Sequence, residues 1–162
     1  MDIEEQYDKL YRYCYMHTHH RQTAEDITQE AFLRFFESHS YKDKGKKLAY
    51  LYTIAKNLCI DFYRKKKEQP VPEKELFNND VEIHQNSAGD NQEEIIVQAH
   101  ILKEAVEILD EESQEIIFLR YVNELTVVDI GRILGISRFA VHRRIKLCLS
   151  QLKDKLGKEE FF

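Results

Sequence analysis

LTVVDIGRILGISRFAVHRRIKLCL, from Leu125 to Leu149, is the stretch that decides the fold. Its first half has apolar residues at helical spacing, namely Leu125, Val128, Ile130, Ile133 and Leu134. Gly135 then interrupts the pattern, and Ser137 follows as a natural N-cap, because its hydroxyl can accept a hydrogen bond from an amide at the start of a second helix. That helix has apolar residues spaced by four, three and four positions, namely Val141, Ile145, Cys148 and Leu152. The stretch therefore predicts a helix-turn-helix.

The other faces of the second helix are basic and polar. In a helix-turn-helix, the N-terminal part of the second helix enters the major groove of DNA. The residues that start this helix after Ser137 and are placed to contact base edges are Arg138, Phe139, His142 and Arg143. Arg144 and Lys146 are expected to contact phosphates. The alternative is an ordinary helical hairpin with a solvated basic face, since a lone motif of this kind is a weak signal.

Length and composition limit the class of protein. A chain of 162 residues with 43% hydrophobic composition can bury one good core or two small helical ones. Five glycines and two prolines leave few turns, which favours long helices. There is no run of about 18 apolar residues, and the N-terminus is acidic rather than basic and then apolar. We therefore expect a cytoplasmic protein without direct membrane insertion.

The formal net charge of −5 is unevenly distributed. Residues 41–67 contain nine Lys or Arg against two acids, for a net charge of +7, and residues 137–158 contain seven against one, for +6. Residues 68–94 contain eight acids against one Lys, for −7. Two basic patches separated by an acidic spacer are typical of a protein that contacts a polyanion at two places. The reason is that the attraction of phosphates depends on the charge close to them and not on the net charge of the chain. Either patch alone would be better explained as a solvated face.

Periodicity predicts three helices at the start of the chain, over residues 2–18, from the N-cap Thr23 to about Ser38, and over residues 48–67. Their apolar stripes are Ile3, Tyr7, Leu10 and Cys14 in the first, Ile27, Ala31 and Phe35 in the second, and Leu51, Ala55, Leu58 and Phe62 in the third. Residues 41–47 form a basic loop before the third helix. Together these helices can close one small core, which defines a first domain over residues 1–67.

Residues 68–91 contain both prolines and many Asn, Asp and Gln residues without helical period. About 24 residues of this kind are too long for a loop inside a compact domain, so they predict a flexible acidic linker. Residues 92–162 then form a second domain. Its helices before the helix-turn-helix are marked by Ile95, Ala99, Leu102, Val106 and Leu109, and by Ile116, Leu119, Tyr121 and Val122. The predicted fold is all-α, with two small helical domains.

The third helix carries a second face besides its apolar stripe. This polar and aromatic face has helical spacing and ends in a basic run: Tyr50, Thr53, Asn57, Asp61, Arg64, Lys65, Lys66 and Lys67. Aromatic side chains stack on unpaired bases, amides bind base edges, and a basic run holds the backbone, which together describe a surface for single-stranded nucleic acid. Periodicity alone would also fit an amphipathic helix with a solvated face.

Three segments together resemble a known family: AEDITQEAFLRFFE at Ala24–Glu37, AYLYTIAKNLCIDFYRKKK at Ala49–Lys67, and LTVVDIGRILGISRFAVHRRIKLCLSQLK at Leu125–Lys153. In this order and spacing they are similar to bacterial RNA polymerase sigma factors, and specifically to the extracytoplasmic-function (ECF) group of the sigma-70 family. The resemblance spans nearly the whole chain. Gly131 departs from the family by standing at a close-packed position of the first helix that is often Ala.

The resemblance implies a role for each segment. The first segment would bind the clamp helices of the largest polymerase subunit through Asp26, Gln29, Glu30 and Phe32. The second would melt and recognise the promoter −10 element, with Asn57 lining a pocket for a base turned out of the stack. The helix-turn-helix would bind the −35 element as duplex. The implied partners are core RNA polymerase, including its flap, promoter DNA, and an anti-sigma factor of a kind that is often membrane-anchored.

Other functions find less support in the residues. A free-standing helix-turn-helix regulator, or an adaptor acting through protein contacts only, would share parts of the pattern. Cys14, His17, His19 and His20 raise the question of zinc, but helical spacing separates His19 from the others. The chain has no phosphate-binding glycine loop and no nucleophile elbow. We therefore expect no catalysis, no cofactor and no metal. Cys14, Cys59 and Cys148 stand at apolar positions, typical of buried reduced thiols.

Overall fold

The computed structural model describes residues 2–38, 46–68 and 103–157. Every regular element within these ranges is helical, and the chain divides into two compact units. The described residues up to Glu68 belong to the first unit, and those from Lys103 onward to the second. The predicted all-α fold is confirmed. Most of the predicted basic loop, the predicted linker beyond Glu68, and Ile95, Ala99 and Leu102 lie outside the described residues.

Helix α1 covers Ile3–Thr18, as the apolar period predicts. Asp2 caps its start, because the side chain accepts hydrogen bonds from the amides of Glu4 and Glu5 at 3.1 and 3.5 Å. The helix ends at His19, which has a left-handed φ of 53° and donates its amide to the Tyr15 carbonyl at 2.8 Å. Side-chain capping at the start and a left-handed residue at the end thus define the helix.

Helix α2 covers Arg21–Glu37 and begins earlier than predicted. Thr23 is not the N-cap, so that prediction was wrong. His20 is the N-cap, and its Nδ1 accepts the Thr23 amide at 3.2 Å. The Thr23 hydroxyl lies 2.9 Å from the same ring nitrogen. An imidazole nitrogen therefore performs the function of the usual hydroxyl or carboxylate oxygen, and the helix starts three residues further back.

Helix α3 covers Lys47–Glu68, and it packs with α1 and α2 around one core. The buried residues are Leu10, Tyr13, Cys14 and Thr18 of α1, Ala24, Ile27, Thr28, Ala31 and Phe32 of α2, and Ala49, Leu51, Tyr52, Ala55 and Cys59 of α3. Tyr13 and Tyr52 meet edge to face at a centroid distance of 5.2 Å, and the Cys59 side chain lowers the pKa of the buried Cys14 thiol.

The predicted stripes are correct near the centre of this core and wrong at its edges. Ile3, at the first position of α1, is 49% exposed. Leu58 and Phe62 are only half-buried, whereas Tyr52 and Cys59, which lay outside the predicted stripe, are buried. The reason is that α3 contacts two helices at once, so its buried face is wider and turned relative to a single four-residue row.

The described part of the second unit starts with helical residues 103–107. It continues with α4, Glu111–Ile117, whose N-cap Asp110 accepts the Ser113 amide at 2.7 Å. This hydrogen bond and one from the Ser113 hydroxyl hold the pKa of Asp110 below its ordinary value. The helix then widens into a π-helical segment, Phe118–Val122, which ends with the Asn123 amide donating to the Phe118 carbonyl at 3.1 Å.

Two further helices, α5 over Val127–Leu134 and α6 over Arg138–Gly157, complete the described part of this unit. Its core includes Ala105, Leu109, Ile116, Leu119, Leu125, Ile130 and Ile133, and, from α6, Val141, Ile145, Cys148, Leu152 and Leu156. The four predicted apolar positions of α6 are thus all buried. The predicted apolar positions also included three residues that are exposed in the structure, namely Tyr121, Val122 and Val128.

The π-helical segment explains the error at Tyr121 and Val122. Each turn of a π-helix contains more residues than an α-helical turn. The α-helical spacing that starts at Ile116 and Leu119 therefore no longer predicts which of the following residues are buried. The chain leaves the segment at Glu124, with a φ of 58°, and the Arg120 guanidinium donates to the Leu125 carbonyl at 2.9 Å. These contacts direct the backbone into α5.

Candidate nucleic-acid interface

The turn between α5 and α6 has the features predicted for a helix-turn-helix. Gly135 ends α5 with a φ of 70°, a conformation in which glycine has no steric penalty. The Ser137 hydroxyl accepts the Ala140 amide at 3.1 Å, so the predicted N-cap is confirmed. A Cβ on Gly131 would lie 2.7 Å from the Ile136 carbonyl oxygen, which explains why the smallest residue stands at this close approach.

The start of α6 presents its predicted base-contacting residues to solvent. Arg138, Phe139, His142 and Arg143 are all exposed, and the apolar face of the same helix is buried against the rest of the unit. The Arg138 guanidinium lies over the Phe139 ring, 5.1 Å from its centroid. One exposed helix face therefore combines three cationic or polar side chains with an aromatic ring, a composition suited to a major groove.

The two residues predicted to contact phosphates differ in their surroundings. Lys146 is exposed. Arg144 lies at the edge of the buried face, and its guanidinium is 2.8 Å from the Glu112 carboxylate of α4. Both side chains of this pair remain about two-fifths exposed, at 40% and 43%. Arg144 therefore links α6 to α4, an interaction that the sequence pattern did not predict.

The polar face of α3 is present, but its side chains differ in exposure and in the contacts that they make within the protein. Asn57 is exposed, and Asp61 and Arg64 form an ion pair one turn further on, at 3.2 Å. The Thr53 hydroxyl donates to the Ala49 carbonyl at 2.8 Å, as threonine often does inside a helix. The Tyr50 ring is half-buried, 6.0 Å from the ring of Phe35. Asn57 is thus the amide of this face that is open to a ligand.

The end of α3 carries the predicted basic run. Lys65 and Lys67 are exposed, and the Lys66 amine lies 5.7 Å from the centroid of the Phe62 ring. Because Lys66 lies along the helix surface over an aromatic ring, its charge stays close to the helix, while its neighbours extend into solvent. The described residues therefore include a concentrated positive charge at one end of the Asn57 face.

The predicted polymerase-binding residues on α2 do not all lie on one surface. Asp26 and Gln29 are exposed, and Glu30 pairs with Arg34 at 2.8 Å. Phe32, however, is only 7% exposed and stacks on Tyr7 at a centroid distance of 5.7 Å. Phe32 is a core residue, and its assignment to a binding face is corrected here.

Two other apolar side chains stand on the outer face of α2. Leu33 is 54% exposed and Phe36 is 53% exposed. With Asp26, Gln29 and Glu30 they follow the helical spacing of three and four residues, so they form one surface in which apolar groups are framed by acids. The sequence pattern missed them because four of the five residues 32–36 are Phe or Leu, and only the packing of α1 and α3 decides which of these face inward.

The potential metal ligands within residues 2–38, 46–68 and 103–157 do not come together in one cluster. No group of three or more His, Cys, Asp or Glu side chains within those residues is arranged to hold a metal ion. No helix among them is both long and apolar enough to cross a membrane. The potential zinc residues are otherwise engaged: Cys14 is buried, His20 caps α2, and His17 meets the Tyr13 ring.

Comparison with known proteins agrees with this geometry. Residues 3–69 match the family model of sigma-70 region 2, and residues 105–154 match that of sigma-70 region 4. The ECF RNA polymerase sigma factor SigW of Bacillus subtilis is 31% identical over 158 residues, which cover 91% of this chain and 84% of the relative. The chain belongs to the ECF sigma factors.

Other relatives extend the same result. The RNA polymerase sigma factor YlaC of Bacillus subtilis is 26% identical to this ECF sigma factor over 156 residues, covering 94% of the chain and 88% of the relative. The sigma factor RpoE of Bartonella quintana, solved with the anti-sigma factor NepR, has a TM-score of 0.67 at 21% identity, covering 94% of this chain and 92% of that one. It shares the fold.

As an ECF sigma factor, the chain directs transcription initiation, and the family predicted from the three segments is confirmed. The two matched regions fall in the two compact units, with α1 to α3 forming region 2 and α4 to α6 lying in region 4. A free-standing regulator would account for the helix-turn-helix but not for region 2. The family match therefore disfavours that hypothesis.

Proposed function

We propose that α6 binds the promoter −35 element as duplex DNA. The supporting observation is the exposed start of this helix, where the N-cap Ser137 is followed by the exposed residues Arg138, Phe139, His142 and Arg143. Arginine can bind guanine with two hydrogen bonds in the major groove, and the flanking cations Lys146 and Arg144 suit phosphates on the groove edges. For Arg144 such a contact competes with, or is shared with, its ion pair to Glu112.

We propose that α3 binds the −10 element as an opened strand. Asn57 is the exposed amide on this face, and Tyr50 and Thr53 precede it by about two turns and one turn respectively. An amide can bind the Watson–Crick edge of a base that has left the stack, and the cost of unpairing that base is a few kcal/mol. The Asp61–Arg64 pair and the exposed Lys65 then lie on the path of the backbone.

We propose that the outer face of α2 binds the clamp helices of the largest polymerase subunit. Asp26, Gln29 and Glu30 supply its polar part, and Leu33 and Phe36 supply its apolar centre. Protein interfaces of this kind place buried apolar anchors inside a polar rim. The second unit would bind the polymerase flap, so the same chain would hold the enzyme and the promoter at two places each.

We propose further that this sigma factor works through binding alone, in the cytoplasm, and is held inactive by an anti-sigma factor. Support for the last point comes from the relative RpoE, whose solved structure contains the anti-sigma factor NepR. An inhibitor that covers the Leu33 and Phe36 surface would prevent polymerase binding. Inhibitors of this class are often membrane-anchored. Such an inhibitor would sense the inducing signal at the membrane, whereas this sigma factor has no membrane-spanning helix among its described residues.

The deciding experiment is run-off transcription on a genomic fragment library, with purified core polymerase in the presence and absence of this chain, followed by sequencing of the new RNA 5′ ends. We expect new start sites that share paired −35 and −10 motifs. Start sites that share only a −10 motif would remove α6 from the proposal. Duplex binding by the chain alone, with no new start sites and an active core enzyme, would favour a free-standing regulator instead.

A further inference from the structure

Phe139 is the most exposed large apolar side chain in the described part of the protein. It is 62% exposed, although it is the second residue of a helix whose opposite face supplies much of the core of its unit. Burying a phenylalanine side chain stabilises a protein by roughly 1.5–3 kcal/mol, and at this position the fold gains little of that. Packing within its own unit therefore does not explain a phenylalanine at this position.

The surroundings of the Phe139 ring connect it with the DNA-binding face. The Arg138 guanidinium lies over the ring, 5.1 Å from its centroid, so the ring stands beside one of the cations proposed to contact base edges. Arg143 stands four residues later, on the same side of the helix, and is also exposed. The ring is thus bracketed by two guanidinium groups that are suited to hydrogen-bond acceptors on base edges.

Base edges in the major groove offer one apolar group, the 5-methyl group of thymine. Cytosine has only a small C–H at the equivalent position, and the remaining groups that distinguish the bases are hydrogen-bond donors and acceptors, for which a phenylalanine ring has no polar atom. We infer that Phe139 is a specificity-determining residue that packs against a thymine methyl in the −35 element. The inference rests on the proposed binding of the −35 duplex by α6, and it adds the identity of one base.

The test removes only the methyl group. In a promoter taken from the run-off experiment, each thymine of the −35 element is replaced in turn by deoxyuridine, and binding of the assembled polymerase holoenzyme is measured by competition. One replacement should weaken binding by the wild-type holoenzyme roughly three- to fivefold, the effect of withdrawing one methyl group from an apolar contact. The same replacement should change binding by the Phe139→Ala holoenzyme very little.

Leu147 provides the matched control. It lies on the same helix and is 60% exposed, but it stands two turns further from the N-terminal part that enters the groove. The Leu147→Ala holoenzyme should keep the wild-type difference between thymine and deoxyuridine. A second test adds a methyl group instead of removing one. With cytosine at the sensitive position, the holoenzyme should bind the promoter more tightly when that cytosine carries a 5-methyl group, and only if the sigma factor retains Phe139.

The outcomes separate this inference from the proposed function. If no promoter supports specific transcription, both fail. If promoters function but lack thymine in the −35 element, or if every replacement affects wild type and Phe139→Ala equally, only the thymine contact is overturned. Equal loss of discrimination in Leu147→Ala would also overturn it, since the effect would then not belong to the Phe139 ring.

Discussion

Two adjacent arginines on α6 show how much the surroundings of a side chain determine its role. Arg143 is exposed on the side of α6 that we propose faces DNA, whereas Arg144 meets Glu112 of α4 at 2.8 Å. The two residues are chemically identical, and the sequence alone assigned them to bases and phosphates by position in the helix. The ion pair between Arg144 and Glu112 depends on the packing of α4 against α6, which no local pattern encodes.

Replacing Arg143 with Ala should cost about 1–3 kcal/mol in −35 binding if the guanidinium contacts a base, and the loss should depend on the −35 sequence. Arg144→Ala is the comparison, and its loss should be nearly uniform across sequences. The measurement is holoenzyme binding to a set of promoters that differ at single −35 positions. A uniform loss for Arg143→Ala would assign this residue to the phosphate contacts instead.

Replacing Asn57 with Ala should impair promoter opening and leave polymerase binding unchanged. The side chain is exposed, so its removal leaves no cavity in the core of the first unit. Opening is scored by permanganate reactivity of unpaired thymines, and polymerase binding by co-elution with the core enzyme. Full thymine reactivity in the variant would remove Asn57 from the proposed base pocket.

At the scale of single helices, local rules succeed where a helix end is determined by its own residues. The cap at Ser137, the break at Gly135 and the buried row of α6 follow from short-range hydrogen bonding and spacing, and all were predictable. The start of α2 was not, because His20 is an uncommon capping residue. The π-helical segment Phe118–Val122 was also missed, since its five residues have no distinguishing composition.

The left-handed conformation of Gly135 leads to a stability prediction for the helix-turn-helix. Gly135→Ala should destabilise α5 and α6 by about 1–2 kcal/mol, because a side chain at positive φ is strained even where space is open. Amide hydrogen exchange in the two helices measures the change. Gly157→Ala, at the end of α6 where an added Cβ meets nothing within 4 Å, is the control and should have little effect.

At the scale of the molecule, the packing of the helices determines which residues of a predicted binding helix are exposed. The helix α2 was assigned to polymerase binding, but Phe32 is buried on Tyr7 while Leu33 and Phe36 are exposed. Which of these neighbours points inward is determined by the position of α1 and α3, so it requires the tertiary structure. The same reason explains why Tyr52 and Cys59, rather than Phe62, complete the buried face of α3.

Replacing Leu33 with Glu should weaken the binding of this sigma factor to core polymerase by at least about tenfold, because an apolar anchor is lost and a charge must be desolvated. The side chain is 54% exposed, so the fold should be retained. Ile3→Glu, at a position of α1 that is 49% exposed, should leave polymerase binding unchanged. Equal affinity of wild type and Leu33→Glu would exclude this face of α2 from the polymerase contact.

The burial of every cysteine has a practical consequence. Cys14 and Cys59 lie in the core of the first unit and Cys148 in that of the second, and none forms a disulfide. A thiol reagent can reach them only when the surrounding helices open, so the rate of modification reports on opening. Mass spectrometry would assign each modified cysteine to its unit. The native cysteines therefore allow the opening rate of each unit to be measured separately, without an engineered label.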